Sequence, residues 1–351
     1  MKKIAIFQDN LKFGGIQKSL LNLLRNIDLS KYEIDLYLFS DKNDFMNQLP
    51  KEINIVYLKP FSKITKFMFF GFFKNSTIDV LNKEYDVAID FNSYQHYCAL
   101  GALNSKAKKR VMWIHNDVEI KLKEELKYRI LHFFSKSKYK LFDEFVGVSP
   151  GVVEPFKKVN KVFDKKCWVI PNYIDTKEII DKCDDKVDLA VDSSKYNLVS
   201  VGRLCHQKGF DILLDMLKKL EVDRKDFHFY LIGDGEERSN LEKRVFRLQL
   251  ENYVTFLGAQ ANPFKYMKLM DGFVLTSRYE GQGMVFWEAK ALGLKLFMPK
   301  NLEIYNVELK GMEDILLDLK NAKKSDNQKI DMLIKYNTSI INEMDKMINK
   351  E

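Results

Sequence analysis

The sequence has few of the residues that staple or break a chain. Of its 351 residues, 4 are cysteine, 7 proline and 16 glycine. Cys98, Cys167, Cys183 and Cys205 stand singly, in neither C-x-x-C nor paired-histidine spacing. Neither disulfides nor a zinc site is therefore expected, only reduced thiols. No segment approaches the roughly 20 apolar residues of a membrane-spanning helix. The opening MKKIAIFQDN starts basic, but its apolar run ends at Phe7 and is too short for a signal peptide, so a cytoplasmic location is expected. Internal repeats and low-complexity tracts are absent. So is a phosphate-binding P-loop: in FGGIQKS, Ile16 and Gln17 separate Gly15 from Lys18, where that loop places its glycine directly before the lysine.

What is present is the balance of a soluble globular protein, 46% hydrophobic and 30% charged, in a chain long enough for two domains. Charge is uneven. Residues 1–175 hold 29 Lys and Arg against 20 Asp and Glu, and residues 176–351 hold 28 against 29. An excess confined to one half suggests an anionic partner. Short apolar runs, among them KKIAIF, IDLYLF, DVAIDF, RVMWIH, NLVSVG, FHFYLIG and GFVLTS, alternate with amphipathic stretches such as DILLDMLKKL. This alternation predicts an α/β fold with parallel sheets covered by helices. The series restarts after VIPNYID, so we expect domains at 1–170 and 171–324, with 325–351 as a terminal helix packing back toward the first.

Gly14 and Gly15 stand between the first strand and a helix with apolar residues Ile16, Leu20, Leu23, Leu24 and Ile27. A helix N-terminus exposes unpaired N–H groups, and glycine admits a ligand to them. In VGRLCHQKGF, Arg203 and Lys208 follow a strand and Gly202, putting two cations beside loop amides, a pattern that suits a diphosphate and equally a solvated loop. In SRYEGQGMVFWEAKALG, Glu280 and Glu288 stand eight residues apart around Gly281 and Gly283. With Glu280 on a post-strand loop and Glu288 a turn into the next helix, both carboxylates face the carboxyl ends of the strands, where open α/β sheets bind ligands. Amides of Gln282, Gly283 and Met284 would point at a bound phosphate or sugar. Glu288 can also be read as an ordinary first-turn glutamate favoured by the helix dipole.

The series GGIQKS, VIPNYID, VGRLCHQKG, LIGDGEER and EGQGMVFWEA, in that order, resembles the family-4 retaining glycosyltransferases from Lys2 to about Leu294. The resemblance implies GT-B architecture, two Rossmann-like domains facing a deep cleft. It further implies sugar transfer with retention from a nucleotide-sugar to a lipid-linked glycan acceptor in surface polysaccharide or glycolipid synthesis. Arg203 and Lys208 would hold the donor diphosphate in place of a metal ion, and Glu280 would position the donor sugar. Gln282, Gly283, Met284 and Val285 would line the donor, with Gly15 and Gly202 close to it, and Glu288 would bind ribose. His115 would lie beside the donor sugar, while Gly14 and Asn116 would face the acceptor. Asn172 and Asp175 would form an interdomain turn. No cofactor is implied, the nucleotide-sugar being a substrate whose base, uridine or guanosine, is unresolved. After Leu294 the sequence KLFMPKNLEIYNVELKG departs from the family pattern, with neither the second apolar strand nor the glycine-rich turn expected there.

Two other readings share the fold, a sugar-nucleotide epimerase and a catalytically idle binding subunit. Nucleic-acid binding is not expected, since no recognition module accompanies the basic half. Residues 59–74 combine Phe67, Phe69, Phe70, Phe72 and Phe73 with Lys59, Lys63, Lys66 and Lys74, the composition either of an anchor on an anionic membrane or of a buried helix face.

Overall fold

The computed structural model describes residues 1–58, 83–305, 315–324 and 331–350, and segment 59–74 lies outside them. The chain divides into two compact units, Met1–Tyr173 with Lys335–Glu351, and Ile174–Ile334.

In the first unit the strands are β1 (Lys2–Gln8), β2 (Tyr32–Leu38), β3 (Asn54–Tyr57), β4 (Glu84–Asp90), β5 (Lys106–Ile114), β6 (Glu144–Gly147) and β7 (Lys166–Val169). They form a parallel sheet ordered β3-β2-β1-β4-β5-β6-β7. Ile4, Ala5, Ile6 and Phe7 are all buried, so β1 reads as a continuous apolar run because both faces of the sheet are covered. The helices are α1 (Gly15–Asn26), α2 (His96–Asn104), α3 (Val118–Glu124), α4 (Leu126–Ser135) and α5 (Pro150–Asn160). Leu20, Leu21, Leu23 and Leu24 of α1 are buried, each contributing about 2 kcal/mol of apolar transfer. On the same helix Ser19 Oγ donates to Asn172 Oδ1 at 2.5 Å, and Asn22 Nδ2 to the Tyr173 carbonyl at 3.1 Å. Asn172 thus fastens the end of this unit's chain to α1.

The second unit contains α6 (Thr176–Cys183), β8 (Tyr196–Val201), α7 (Phe210–Asp223), β9 (Phe227–Ile232), α8 (Arg238–Leu248) and β10 (Val254–Gly258). It continues with α9 (Phe264–Met267), β11 (Gly272–Val274), α10 (Met284–Ala291), β12 (Lys295–Phe297) and α11 (Ile315–Lys320). Its parallel sheet runs β10-β9-β8-β11-β12. Asp175 caps α6, accepting from the Glu178 amide at 3.1 Å. Strand β12 corrects the sequence reading, which expected no further strand after Leu294. Lys295–Phe297 pairs with Gly272–Val274 in parallel, and Phe297 is fully buried. Three residues are too few to show a period, so only the pairing with β11 reveals the strand.

The last helix, α12 (Ile334–Asn349), packs on the first unit. Asp345 accepts from Tyr32 Oη at 2.7 Å and from Lys31 Nζ at 3.0 Å, while Lys109 Nζ donates to the carbonyls of Met347 and Lys350 at the helix end. A cation on those last carbonyls also opposes the negative end of the helix dipole. Among the described residues no helix is long and apolar enough to cross a membrane.

Candidate active site

In each sheet the strand order reverses beside the first strand, between β1 and β4 in one unit and between β8 and β11 in the other. Loops leaving adjacent strands toward opposite faces open a crevice at such a switch point, beyond the carboxyl ends. Gly14 and Gly15 follow β1 and His115 and Asn116 follow β5, in the first unit. Gly202, Arg203 and Lys208 follow β8, in the second. There Glu280, Gln282 and Gly283 follow β11, and Met284, Val285 and Glu288 lie on α10.

The second unit brings Lys208 and Glu280 together across 72 residues of sequence. Lys208 Nζ lies 2.7 Å from Glu280 Oε1, with side-chain exposures of 22% and 6%. Ser277 Oγ donates to the same oxygen at 2.5 Å. Both donors converge on Oε1, so Oε2 has no hydrogen-bond partner among the described residues. The carboxylate is therefore held in one orientation with an acceptor to spare. The aliphatic stem of Lys208 runs over Gly202, where an added Cβ would lie 3.4 Å from Lys208 Cε.

Several contacts fix the two loops to each other. Arg278 forms a bidentate pair with Asp211 at 2.8 and 2.6 Å and donates to the His206 carbonyl at 2.8 Å, and Gln207 Nε2 reaches the Tyr279 carbonyl at 3.1 Å. The guanidinium holds the Asp211 carboxyl below the usual carboxylate range. Gly209 sits at φ 64°, and a Cβ there would lie 2.2 Å from the Thr276 carbonyl oxygen, so both its conformation and the loop contact require glycine.

Arg203 is exposed and has no hydrogen-bond or ion-pair partner among the described residues. Glu288 is the fifth residue of α10 and half-buried, as is Val285. Gln282 and Gly283 are buried. One expected ligand amide is already engaged: Met284 N–H donates to the Gln282 carbonyl at 2.9 Å, because the chain turns tightly there into the helix.

In the first unit Gly14 and Gly15 are exposed, and a Cβ at Gly15 would meet nothing within 4 Å. That glycine answers to no packing constraint in its own unit. His115 is buried, with Nε2 2.9 Å from the Phe91 carbonyl. A carbonyl accepts only from a protonated nitrogen, so Nε2 carries the hydrogen and Nδ1 is the acceptor. Burial pushes the His115 pKa down to about 4, leaving a neutral ring at neutral pH. Asn116 is half-buried beside it.

Sequence reasoning missed a polar cluster at the ends of β1 and β4. Asp9 Oδ1 accepts from Asn10 N at 2.8 Å, Asn92 Nδ2 at 3.0 Å and Gln8 Nε2 at 3.1 Å, and burial raises its pKa. Asp90 is wholly buried and pushed up to about 7 by that burial, while Lys138, also buried, donates to the Ser93 carbonyl at 2.6 Å. The signal for the two aspartates was a carboxylate closing each apolar strand. For Lys138, one lysine in a lysine-rich run, there was none. The Arg278–Asp211 pair was equally hidden, since it joins residues far apart in sequence, and Ser277, only three residues before Glu280, carried no pattern that marked it.

Two parallel sheets of this kind are the GT-B glycosyltransferase fold, and solved structures bear this out. The superposition on Staphylococcus aureus TarM, solved with UDP and alpha-GlcNAc-glycerol, has a TM-score of 0.71 at 11% identity and covers 100% of both chains. Anabaena HepE with UDP-glucose gives 0.61 at 19% identity over 86% of this chain and 81% of that one.

The chain belongs to the group 1 and family 4 glycosyltransferases: the profile "Glycosyltransferase Family 4" matches residues 13–178 and "Glycosyl transferases group 1" matches residues 181–305. It is 27% identical over 83% of its length, and 79% of the relative's, to the N-acetylgalactosamine-N,N'-diacetylbacillosaminyl-diphospho-undecaprenol 4-alpha-N-acetylgalactosaminyltransferase of Campylobacter jejuni. An uncharacterized glycosyltransferase of Methanocaldococcus jannaschii is 26% identical over 54% of this chain, a match spanning about half, 48%, of that relative's length. The lipopolysaccharide core biosynthesis glycosyltransferase LpsE of Rhizobium meliloti is 30% identical over 43% of this chain and 42% of its own.

Proposed function

We propose that this protein moves a hexosyl or N-acetylhexosaminyl group from a nucleoside-diphosphate sugar to a lipid-linked glycan, with retention of configuration and without a metal ion, in synthesis of a surface polysaccharide or glycolipid. The observation that carries the proposal is the Glu280 carboxylate. It is fixed through Oε1 by Lys208 and Ser277, with Oε2 left to accept from a sugar hydroxyl. The Campylobacter relative, named for a diphospho-undecaprenol acceptor, supports the lipid-linked part of the reading.

In this mechanism Arg203 binds the donor diphosphate, unpaired until the donor arrives. Lys208 spends one of its three N–H donors on Glu280 and offers the others to the same diphosphate. The bond from the sugar's anomeric carbon to the diphosphate oxygen breaks, its electron pair staying on that oxygen, where the two cations stabilise the growing charge. The acceptor hydroxyl oxygen bonds to the same face of the anomeric carbon, and its proton passes to the departing diphosphate. Glu280 orients the donor sugar and Glu288 binds ribose. Neutral His115 offers hydrogen bonding rather than charge.

The test is acceptor-dependent release of nucleoside diphosphate from a panel of UDP- and GDP-sugars with a polyprenyl-diphosphate glycan, in excess chelator, with the product's anomeric configuration read by NMR. Release without acceptor would favour an epimerase or hydrolase. Release restored only by magnesium or manganese would overturn the role given to Arg203 and Lys208.

A further inference from the structure

A cavity of about 680 Å³ opens at the other end of the first sheet, by the amino ends of its strands, and every residue lining it belongs to the first unit. Strand register shows why cations gather there. Val87 is in register with both Ile4 and Lys109, Val111 with Glu144, and Glu144 with Lys166. Side chains alternate along a strand, so Lys2, two residues before Ile4, projects from the same face as Lys109, Glu144 and Lys166. Helix α12 adds Ile348 and Lys350 to the lining.

The charges in this cavity do not balance. Glu144 is one carboxylate among three lysines: its Oε2 accepts from Trp168 Nε1 at 2.7 Å, while Lys166 and Lys109 stay 3.6 and 3.8 Å away. Of the other lining carboxylates, Asp86 is engaged by Lys108 Nζ and the Lys3 amide, Asp143 by the Arg110 amide, and Asp164 is exposed. Lys2, Lys165 and Lys350, also in the lining, have no side-chain hydrogen bond or ion pair among the described residues. Burial, with the repulsion of Lys166 and Lys2, holds the Lys109 ammonium below the usual lysine range against the pull of Glu144. An anion placed among these lysines would relieve that repulsion. Five of the six lining lysines come from residues 1–175, the half that carries the basic excess of the chain.

We infer that this cavity is a second ligand site, for a phosphorylated small molecule carrying two or more negative charges, and that it is separate from the candidate active site. Its volume is that of a small-molecule pocket. Lysine ammoniums are point charges that meet phosphate oxygens from several directions, and the lysine stems with Ile348 offer apolar surface to the rest of the ligand. Lys109 donates to the carbonyls of Met347 and Lys350, which covers the negative end of α12 from an arriving anion. The candidate active-site loops leave the carboxyl ends of the strands, and the seven residues of β1 alone span about 20 Å. A ligand here would therefore leave those loops clear while joining α12 to β1, β5 and β7, and should stabilise the folded unit. The inference goes beyond the proposed function and does not depend on it.

The probe is inorganic pyrophosphate, titrated calorimetrically into the full chain, as wild type and as Arg203→Ala/Lys208→Met, which removes both cations assigned to the donor diphosphate. The doubly substituted chain should still bind one pyrophosphate. In 5-fluorotryptophan NMR the Trp168 resonance, assigned with Trp168→Phe, should move on binding, since Lys166 Nζ lies 3.9 Å from that ring's centroid. Adding Lys2→Ser/Lys166→Ser should weaken this binding about tenfold or more and abolish the shift. Lys165→Ser/Lys350→Ser should weaken it in the same way, and these two side chains have no partner to lose, so this pair decides the matter should the first destabilise the fold. Removing two exposed lysines of the second unit, Lys219→Ser/Lys243→Ser, should change affinity by less than about twofold. Absence of binding to Arg203→Ala/Lys208→Met, equal weakening by the second-unit pair, undiminished binding by the folded cavity variants, or an unmoved Trp168 resonance each overturns the inference. Binding at this cavity in a protein showing no sugar transfer would count against the proposed function alone.

Discussion

In the second unit the loops after β8 and β11 are held by ion pairs, Lys208 with Glu280 and Arg278 with Asp211, and Arg203 stands exposed in the first of them. In the first unit the loops after β1 and β4 are held by amide donors around Asp9, and the nearby imidazole, His115, is neutral. Both sets lie at the switch point of a parallel sheet or one strand beyond it, so topology places them alike and chemistry separates them. Fixed, mutually neutralising charges suit a polyanion that arrives and departs with its charge changed. The amide donors gathered on Asp9 and the neutral imidazole of His115 suit hydroxyl groups. The contrast follows from desolvation: a charge kept near an active crevice needs either a partner, as Lys208 has, or water, as Arg203 has.

The sharpest way to break this contrast is Glu280→Gln, which keeps the shape and removes the charge. Turnover should fall about 100-fold or more while the protein still melts cooperatively; near-normal turnover would separate the Lys208–Glu280 pair from catalysis.

The next largest effect belongs to the first unit and to pH. His115 titrates at about 4 in the folded state, below the ordinary imidazole value. The unfolded chain therefore takes up this proton first as pH falls. The stability contributed by the neutral ring is fully present above about pH 6.5 and is lost progressively toward pH 4, a change of about 3 kcal/mol at most. His132, also lowered to about 4, acts in the same direction and remains in the variant. Urea unfolding of wild type and His115→Gln between pH 7 and pH 4 should show a shallower slope for the variant, and parallel slopes would refute the assignment.

Smaller still is Lys208→Met. It leaves the Glu280 carboxylate, 6% exposed, with Ser277 alone, and should cost about 2 kcal/mol of stability, discounted because Lys208 itself is partly solvated. Arg203→Ala gives the mildest change. With no partner to lose, it should alter stability by less than about 0.5 kcal/mol, yet weaken binding of a nucleoside diphosphate about tenfold by calorimetry. Equal melting shifts for Lys208→Met and Arg203→Ala would erase the distinction between the paired and the solvated cation.

The sequence alone determined the alternation of strands and helices, because strands buried on both faces appear as unbroken apolar runs and the covering helices carry their own period. It also marked Arg203, Lys208, Glu280 and Glu288 through local spacing around glycines, since a turn that exposes backbone amides has a local signature. Only the tertiary structure decided which of these groups meet. The Lys208–Glu280 contact, the Arg278–Asp211 clamp and the Asn92 amide on Asp9 each join residues far apart in sequence, Ser277 reaches the same Glu280 oxygen from within its own loop, and β12 exists only as the partner of β11. The cations at the amino ends of the first sheet belong to the same class. Lys2, Lys109 and Lys166 stand in separate strands, and only the register of those strands sets them on one face. Hydrogen bonds and burial are set by distance in space, which pairing of strands fixes and spacing along the chain does not.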